Sequence, residues 1–218
     1  MIDCILLWLI VKMNTKKALI IFTRNPELGK CKTRLAKTVG NESALAIYKF
    51  LLDHTVSITK NLSVDKFVYY SNEITENDIW DSTIYNKQVQ TGNDLGEKMN
   101  NAFSEVFQKG YTHAIVIGSD MYDLSQTDLE TAFQAFNENN YVIGPAEDGG
   151  YYLIGMKTAT PQLFKNKNWG TGTVLVDTLK DLEKLNYNLL DERNDVDYYE
   201  DIKDIEAFKP MLTSIKYK

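Results

Sequence analysis

Within residues 23–40, TRNPELGKCKTRLAKTVG, stand Arg24, Lys30, Lys32, Arg34 and Lys37, in a chain that carries only 24 Lys and Arg against 30 Asp and Glu. Cations crowded this closely in an otherwise acidic protein point to a small anionic ligand. A helix over residues 30–39 would add free backbone N–H groups and the positive end of its dipole, a combination suited to a diphosphate or triphosphate. Arg24, Lys30, Lys32 and Arg34 are therefore candidate nucleotide-binding residues. The spacing is neither a Walker A loop nor G-x-G-x-x-G. A solvated basic helix face accounts for the same pattern without a ligand.

Two acidic stretches complement it. In HAIVIGSDMYDLS, residues 113–125, an apolar run ends in Gly-Ser-Asp. A carboxylate at the carboxyl end of a central strand is a hard oxygen donor for Mg²⁺ or Mn²⁺, which makes Asp120 the leading metal ligand. Asp123 either faces the same ion or is a polar loop residue ahead of a helix cap. In GPAEDGGYYLIG, residues 144–155, Glu147 and Asp148 lie between two apolar runs beside paired glycines. Asp148 can serve as a second metal ligand or as a proton acceptor; a plain D-G hairpin turn explains the same residues.

These stretches need elements to hold them. Apolar, β-rich runs recur at residues 18–22 (ALIIF), 66–71 (KFVYYS), 113–118 (HAIVIG), 141–145 (YVIGP) and 151–156 (YYLIGM). Continuous runs of this kind suit strands buried on both faces. Helical patterns fall between and after them, at 43–59, 94–108, 126–139, 173–185 and 198–209, with Ser125 and Asp128 as an N-cap and first-turn acid. Alternation of this kind predicts an α/β three-layer sandwich with a mainly parallel central sheet, whose ligands bind beyond the carboxyl ends of the strands. The cationic loop and the two acidic loops each follow an apolar run, so all three converge on one rim. A cationic cradle with a carboxylate-held divalent ion is what a nucleotide diphosphate requires.

The bulk numbers set limits on partners. A net charge of −6 over 218 residues argues against nucleic acid, which needs a broad basic face. Cys4 and Cys31 are too few for a disulfide framework or a cysteine-based zinc site and fit a reducing cytoplasm. The run ILLWLIV at residues 5–11 is too short for a membrane span and has the wrong charge order for a secretory signal. Residues 1–16 read as an N-terminal extension, either from a misassigned start ahead of Met13 or as a short docked apolar helix, and residues 17–218 as one domain.

Several motifs together, FTRNPELGKCKTRLA, QTGNDLGEKM, IGSDMYDLS, GPAEDGGYYLIGM, WGTGTVLVDTL and DVDYYED, give the sequence a family resemblance. It resembles the bacterial GT-A-like glycosyltransferases of the arsenosugar-biosynthesis-associated type, which are related to the molybdenum cofactor and phospholactate guanylyltransferases. The resemblance runs from about residue 17 to 208. It implies a GT-A fold of nucleotide-diphospho-sugar transferase type, a nucleotide or nucleotide-sugar donor, and Mg²⁺ or Mn²⁺. On it, Arg24, Lys32 and Arg34 match the phosphate-side basic motif, Asp120 the metal-binding aspartate and Asp148 the acid of the E-D-G-G loop, while Gly92 and Asp94 line the donor pocket. The chain departs from the family pattern at Met121, Tyr122 and residues 170–172.

The expectation is thus a metal-dependent glycosyltransferase with a nucleotide-diphospho-sugar donor and a small-molecule acceptor, Asp120 and Asp148 being its catalytic and metal-binding acids. The alternative is a nucleotidyltransferase that couples an NTP to a phosphorylated or acidic small molecule and releases pyrophosphate. His54, His113 and Trp169 are expected to be packed or surface residues, and the acidic run 191–206 a solvated helix start and face.

Overall fold

The structure, a computed structural model, describes residues 15–212; the N-terminal extension up to residue 14 lies outside them. Seven strands form one sheet: β1 (Lys17–Thr23), β2 (Asp65–Tyr70), β3 (Tyr85–Val89), β4 (His113–Gly118), β5 (Tyr141–Pro145), β6 (Tyr151–Met156) and β7 (Tyr187–Leu189), in the order β3-β2-β1-β4-β6-β5-β7. β6 is antiparallel to both its neighbours, and the other pairings are parallel. Because side chains alternate across a strand, β1 sends Leu19 and Ile21 into one apolar layer and Ala18 and Ile20 into the other. Helices cover both layers, as the α/β three-layer expectation requires: α1 (Thr33–Val39), α2 (Asn41–Thr59), α3 (Leu95–Gln108), α4 (Gln126–Ala135) and α5 (Val174–Leu182).

The five apolar runs are the five inner strands. β3 (YNKQV) and β7 (YNL) escape the pattern because edge strands bury little and tolerate polar side chains. Ser125 and Asp128 form a reciprocal capping box at α4, as the sequence pattern predicts. The expected helix over 30–39 shortens to α1: Lys32 adopts a left-handed conformation, φ 46°, so the helix opens only at Thr33.

The expected helix over 198–209 is replaced by two 3-10 turns, Tyr199–Asp201 and Glu206–Met211. The Asp201 carboxylate captures the backbone N–H of Asp197 (2.9 Å) and Tyr198 (2.6 Å), and Pro210 has no N–H to give. Instead of a helix, this stretch is a strap. Val196, Ile202 and Phe208 join Leu35, Val39, Ile47 and Leu51 in a third apolar cluster, which fastens the strap across α1 and α2. Its start is fixed to the sheet, where Arg193 N donates to Pro145 O (3.1 Å) and Glu147 N to Arg193 O (3.0 Å).

Candidate functional site

The carboxyl ends of β1 and β4 are tied by a buried hydroxyl hub. Tyr48 on α2 accepts from the backbone N–H of Arg24 (2.8 Å) and donates to its carbonyl (3.1 Å), while Ser119 Oγ donates to Thr23 Oγ1 (3.2 Å). Asp120 follows Ser119 directly, and its carboxylate curls back over Gly118, where a Cβ would lie 2.7 Å from Asp120 Oδ1. Glycine is needed there to make room for the acid.

Against Asp120 the strap delivers two more carboxylates. Oxygens of Asp120, Asp195 and Asp197 all lie within 4.8 Å of one another. Asp195 and Asp197 stand on either side of a bend at Val196, and both bring a carboxylate oxygen to Asp120. The sequence reading placed both on a solvated face. The D-x-D spacing carried the signal, but only the strap's course beside β4, with Val196 N donating to Asp120 O (3.4 Å), gives it a partner.

Lys32 Nζ bridges Asp120 Oδ2 (2.9 Å) and Asp197 Oδ1 (3.0 Å), and Arg34 Nη1 donates to Asp197 Oδ2 (2.9 Å) from the outside. Desolvation alone would raise the Asp120 carboxyl, but the Lys32 ammonium more than offsets it, helped by a backbone N–H and the charge of Arg24, and holds it below the usual carboxylate range. Among the described residues no cation forms an ion pair with Asp195, and the more distant Lys32 charge offsets little. Desolvation, and then the charges of Asp197 and Asp120, push its carboxyl up to about 6. Three hard oxygen donors with one excess-charge member fit a divalent ion of the Mg²⁺ or Mn²⁺ kind.

The other expected site residues separate. Arg24 is exposed at the end of β1, close enough to bias Asp120, and forms no ion pair among the described residues. Lys30 turns away and pairs with Glu27 (2.6 Å) on the surface. Asp94 caps α3 by accepting from Glu97 N (2.8 Å), and Gly92, at φ 133°, is required because a Cβ would meet Glu97 Cβ at 2.7 Å. These two shape the loop, while the next residue, Leu95, reaches the cleft. His54 is satisfied by Leu124 O (2.9 Å), and Asp123 pairs with Arg193 (3.6 Å) outside the cluster.

A cleft of about 190 Å³ opens beside the carboxylates, bounded by Asp120, Asp148, Asp195, Tyr151 and Trp169. Asp148 sits in the β5–β6 turn, where its Oδ1 accepts from Gly150 N (2.8 Å). Gly149, at φ 84°, presses on the loop before α5, a Cβ there meeting Gly172 O at 2.3 Å, and its carbonyl accepts from Leu175 N (2.9 Å). Trp169, expected to be a plain packing residue, lies against the first turn of α3 at Gly96 and lines the cleft as well.

Comparison with known proteins agrees with this architecture. A candidate nucleotide-diphospho-sugar transferase of Desulfovibrio desulfuricans G20 is similar at 27% identity and a TM-score of 0.78, over 92% of this chain and 93% of that one. Two more distant structures share the fold. The 4-diphosphocytidyl-2C-methyl-D-erythritolsynthase of Anaerococcus prevotii DSM 20548 has 7% identity and a TM-score of 0.58, covering 91% and 97% of the two chains. Rv0371c of Mycobacterium tuberculosis H37Rv, in complex with manganese, has 12% identity and a TM-score of 0.54, covering 91% and 98%. No curated protein matches. Residues 55–171 match a family described as an uncharacterized protein conserved in bacteria. With more than half its length in that match and a nucleotide-diphospho-sugar transferase-like fold, the chain belongs to the DUF2064 family.

Proposed function

We propose that this protein is a divalent-metal-dependent glycosyltransferase, residues 17–218 acting as one domain, that takes a sugar from a nucleotide-diphospho-sugar and passes it to a small-molecule acceptor. The observation that carries the reading is the Asp120, Asp195 and Asp197 oxygen cluster at the mouth of a cleft. Those three acids would hold Mg²⁺ or Mn²⁺. When bound, the ion supplies neutralisation of the charge that grows on the departing diphosphate.

Arg24 and Arg34 flank the cluster and hold phosphate oxygens, with Lys32 keeping Asp120 and Asp197 in place from below. Asp148, on the cleft side, accepts the proton of the attacking hydroxyl. The acceptor O–C1 bond forms as the C1–O bond to phosphate breaks, and the nucleoside diphosphate leaves with the electron pair. The likeness to the Desulfovibrio protein supports the donor class. Among the described residues no helix is long and apolar enough to cross a membrane, and we place the reaction in the cytoplasm.

One observation favours a second reading, nucleotidyl transfer. Arg24, exposed and without an ion pair among the described residues, is available to a third phosphate. Melting curves with Mn²⁺ and a panel of NTPs, NDPs and NDP-sugars, followed by assay of the product, separate the two. NDP-sugar stabilisation with NDP release supports glycosyl transfer; NTP stabilisation with pyrophosphate release replaces it by the second reading.

A further inference from the structure

The charges around the site are divided between its two sides. Arg24 and Arg34 stand on the flank of the cluster formed by the β1 loop and the strap, and Lys32 is buried with both its acidic partners in contact. On the other side, the cleft wall is apolar and aromatic, built from Leu95, Met121, Tyr151, Tyr152, Trp169 and Val174. Its charged lining residues are Asp120, Asp148 and Asp195, all acids; no Lys or Arg lines it among the described residues.

Beyond the proposed ion site at Asp120 and Asp195, a phosphate or carboxylate laid against Trp169 would lose water, face Asp148, and meet no Lys or Arg to replace the hydration it gave up. A hydroxyl has no such difficulty, since the Asp148 carboxylate can accept from it. The Trp169 ring rests on Gly96, where a Cβ would come within 2.5 Å of it, so the indole is a rigid wall for the flat apolar face of a sugar or aromatic group. We propose that the cleft binds an uncharged, hydroxyl-bearing acceptor laid against Trp169, and rejects phosphorylated or carboxylated molecules. The proposal rests on the transferase reading for the word acceptor. As a statement about which ligand the cleft takes, it stands on the lining alone.

Tryptophan fluorescence tests it on the full chain in EDTA, where no added ion bridges a phosphate to the acids. Of the three tryptophans, Trp80 is buried, 2% exposed, and Trp8 lies outside the described residues, so the part of the quench that Trp169→Phe removes is the part read from the cleft. Para-nitrophenyl glucoside and para-nitrophenyl phosphate carry the same quenching group and differ in charge. The glucoside is expected to quench saturably at millimolar concentration, and the phosphate ester at least tenfold more weakly. The quench should be largely lost in Trp169→Phe, which keeps a flat ring for folding. Thr171→Lys, which places an ammonium on the cleft wall, should gain affinity for the phosphate ester.

Equal or tighter binding of the phosphate ester overturns the proposal, as does an absent glucoside quench or one that survives Trp169→Phe. The donor assignment is judged separately: glucoside quenching without any NDP-sugar melting shift would sink the transferase reading and leave the cleft's ligand class intact.

Discussion

The Lys32 ammonium lies 2.9 Å from Asp120 Oδ2 while only 5% of the Lys32 side chain is exposed, so one buried cation from a left-handed residue after β1 holds an acid at the end of the neighbouring strand β4. The same ammonium reaches Asp197 at 3.0 Å. Desolvation works against its charge, and the two carboxylates overcome that and raise its pKa above the ordinary lysine value. Lys32 is therefore the internal counter-ion of the cluster. Lys32→Met should leave three acids facing one another. Loss of one partner from a buried pair costs about 3 kcal/mol, the lower end applying because both acids are partly exposed. Urea denaturation in EDTA should show that loss, and Mn²⁺ should restore more of it than it adds to the wild type. Equal Mn²⁺ gains in both proteins would show that the lysine does not share the ion's place.

Asp120→Asn and Asp195→Asn should each remove an oxygen charge from the proposed ion site and lower Mn²⁺-dependent transfer on the order of 100-fold or more. Asp123→Asn is the control: its side chain pairs with Arg193, outside the cluster, and its activity should stay within about twofold of wild type. Electron paramagnetic resonance of free Mn²⁺ reads affinity independently of turnover. Comparable loss in Asp123→Asn would move the site along the loop.

His113 supplies a pH dependence away from the cleft. Desolvation first, and then the charges of Lys157 and Lys17, lower its pKa from 6.5 to about 4, with the ring packed edge-on against Phe136 at 5.1 Å between centroids. The unfolded chain binds this proton at higher pH than the folded one. Stability should accordingly be complete above about pH 6.5 and fall as pH drops toward 4. His113→Gln should flatten that part of the difference curve. A parallel fall in wild type and variant would assign the slope to other groups.

Gly149→Ala should destabilise by about 2 kcal/mol or more, since its φ of 84° is unfavourable for any Cβ and the added atom would meet Gly172 O at 2.3 Å. Gly110→Ala, also at positive φ (85°) but with nothing within 4 Å of the new atom, should cost only the backbone part, about 1 kcal/mol. Melting temperatures compare the two directly. Equal losses would mean that the loop before α5 yields freely.

What the sequence made legible was what burial imposes. ALIIF, HAIVIG, YVIGP and YYLIGM are strands covered on both faces, and they can be nothing else in a chain of this alternation. YNKQV and YNL are edge strands whose polar residues face water, so pattern alone gives them no identity. Asp120 was legible because an apolar strand ends just before it. Asp195 and Asp197 stand in the DVDYYED motif, but their role was not legible, because the acidic run 191–206 reads as a solvated helix start and face. In place of the expected helix the chain makes two 3-10 turns whose Ile202 and Phe208 dock on α1 and α2, tertiary contacts that no period records.

β7 ends at Leu189, ahead of the strap, and the strap alone brings Asp195 and Asp197 to Asp120. Every strand of the sheet is therefore synthesised before the segment that completes the three-acid cluster. The cluster depends on the docking of Ile202 and Phe208 on α1 and α2 as well as on the sheet.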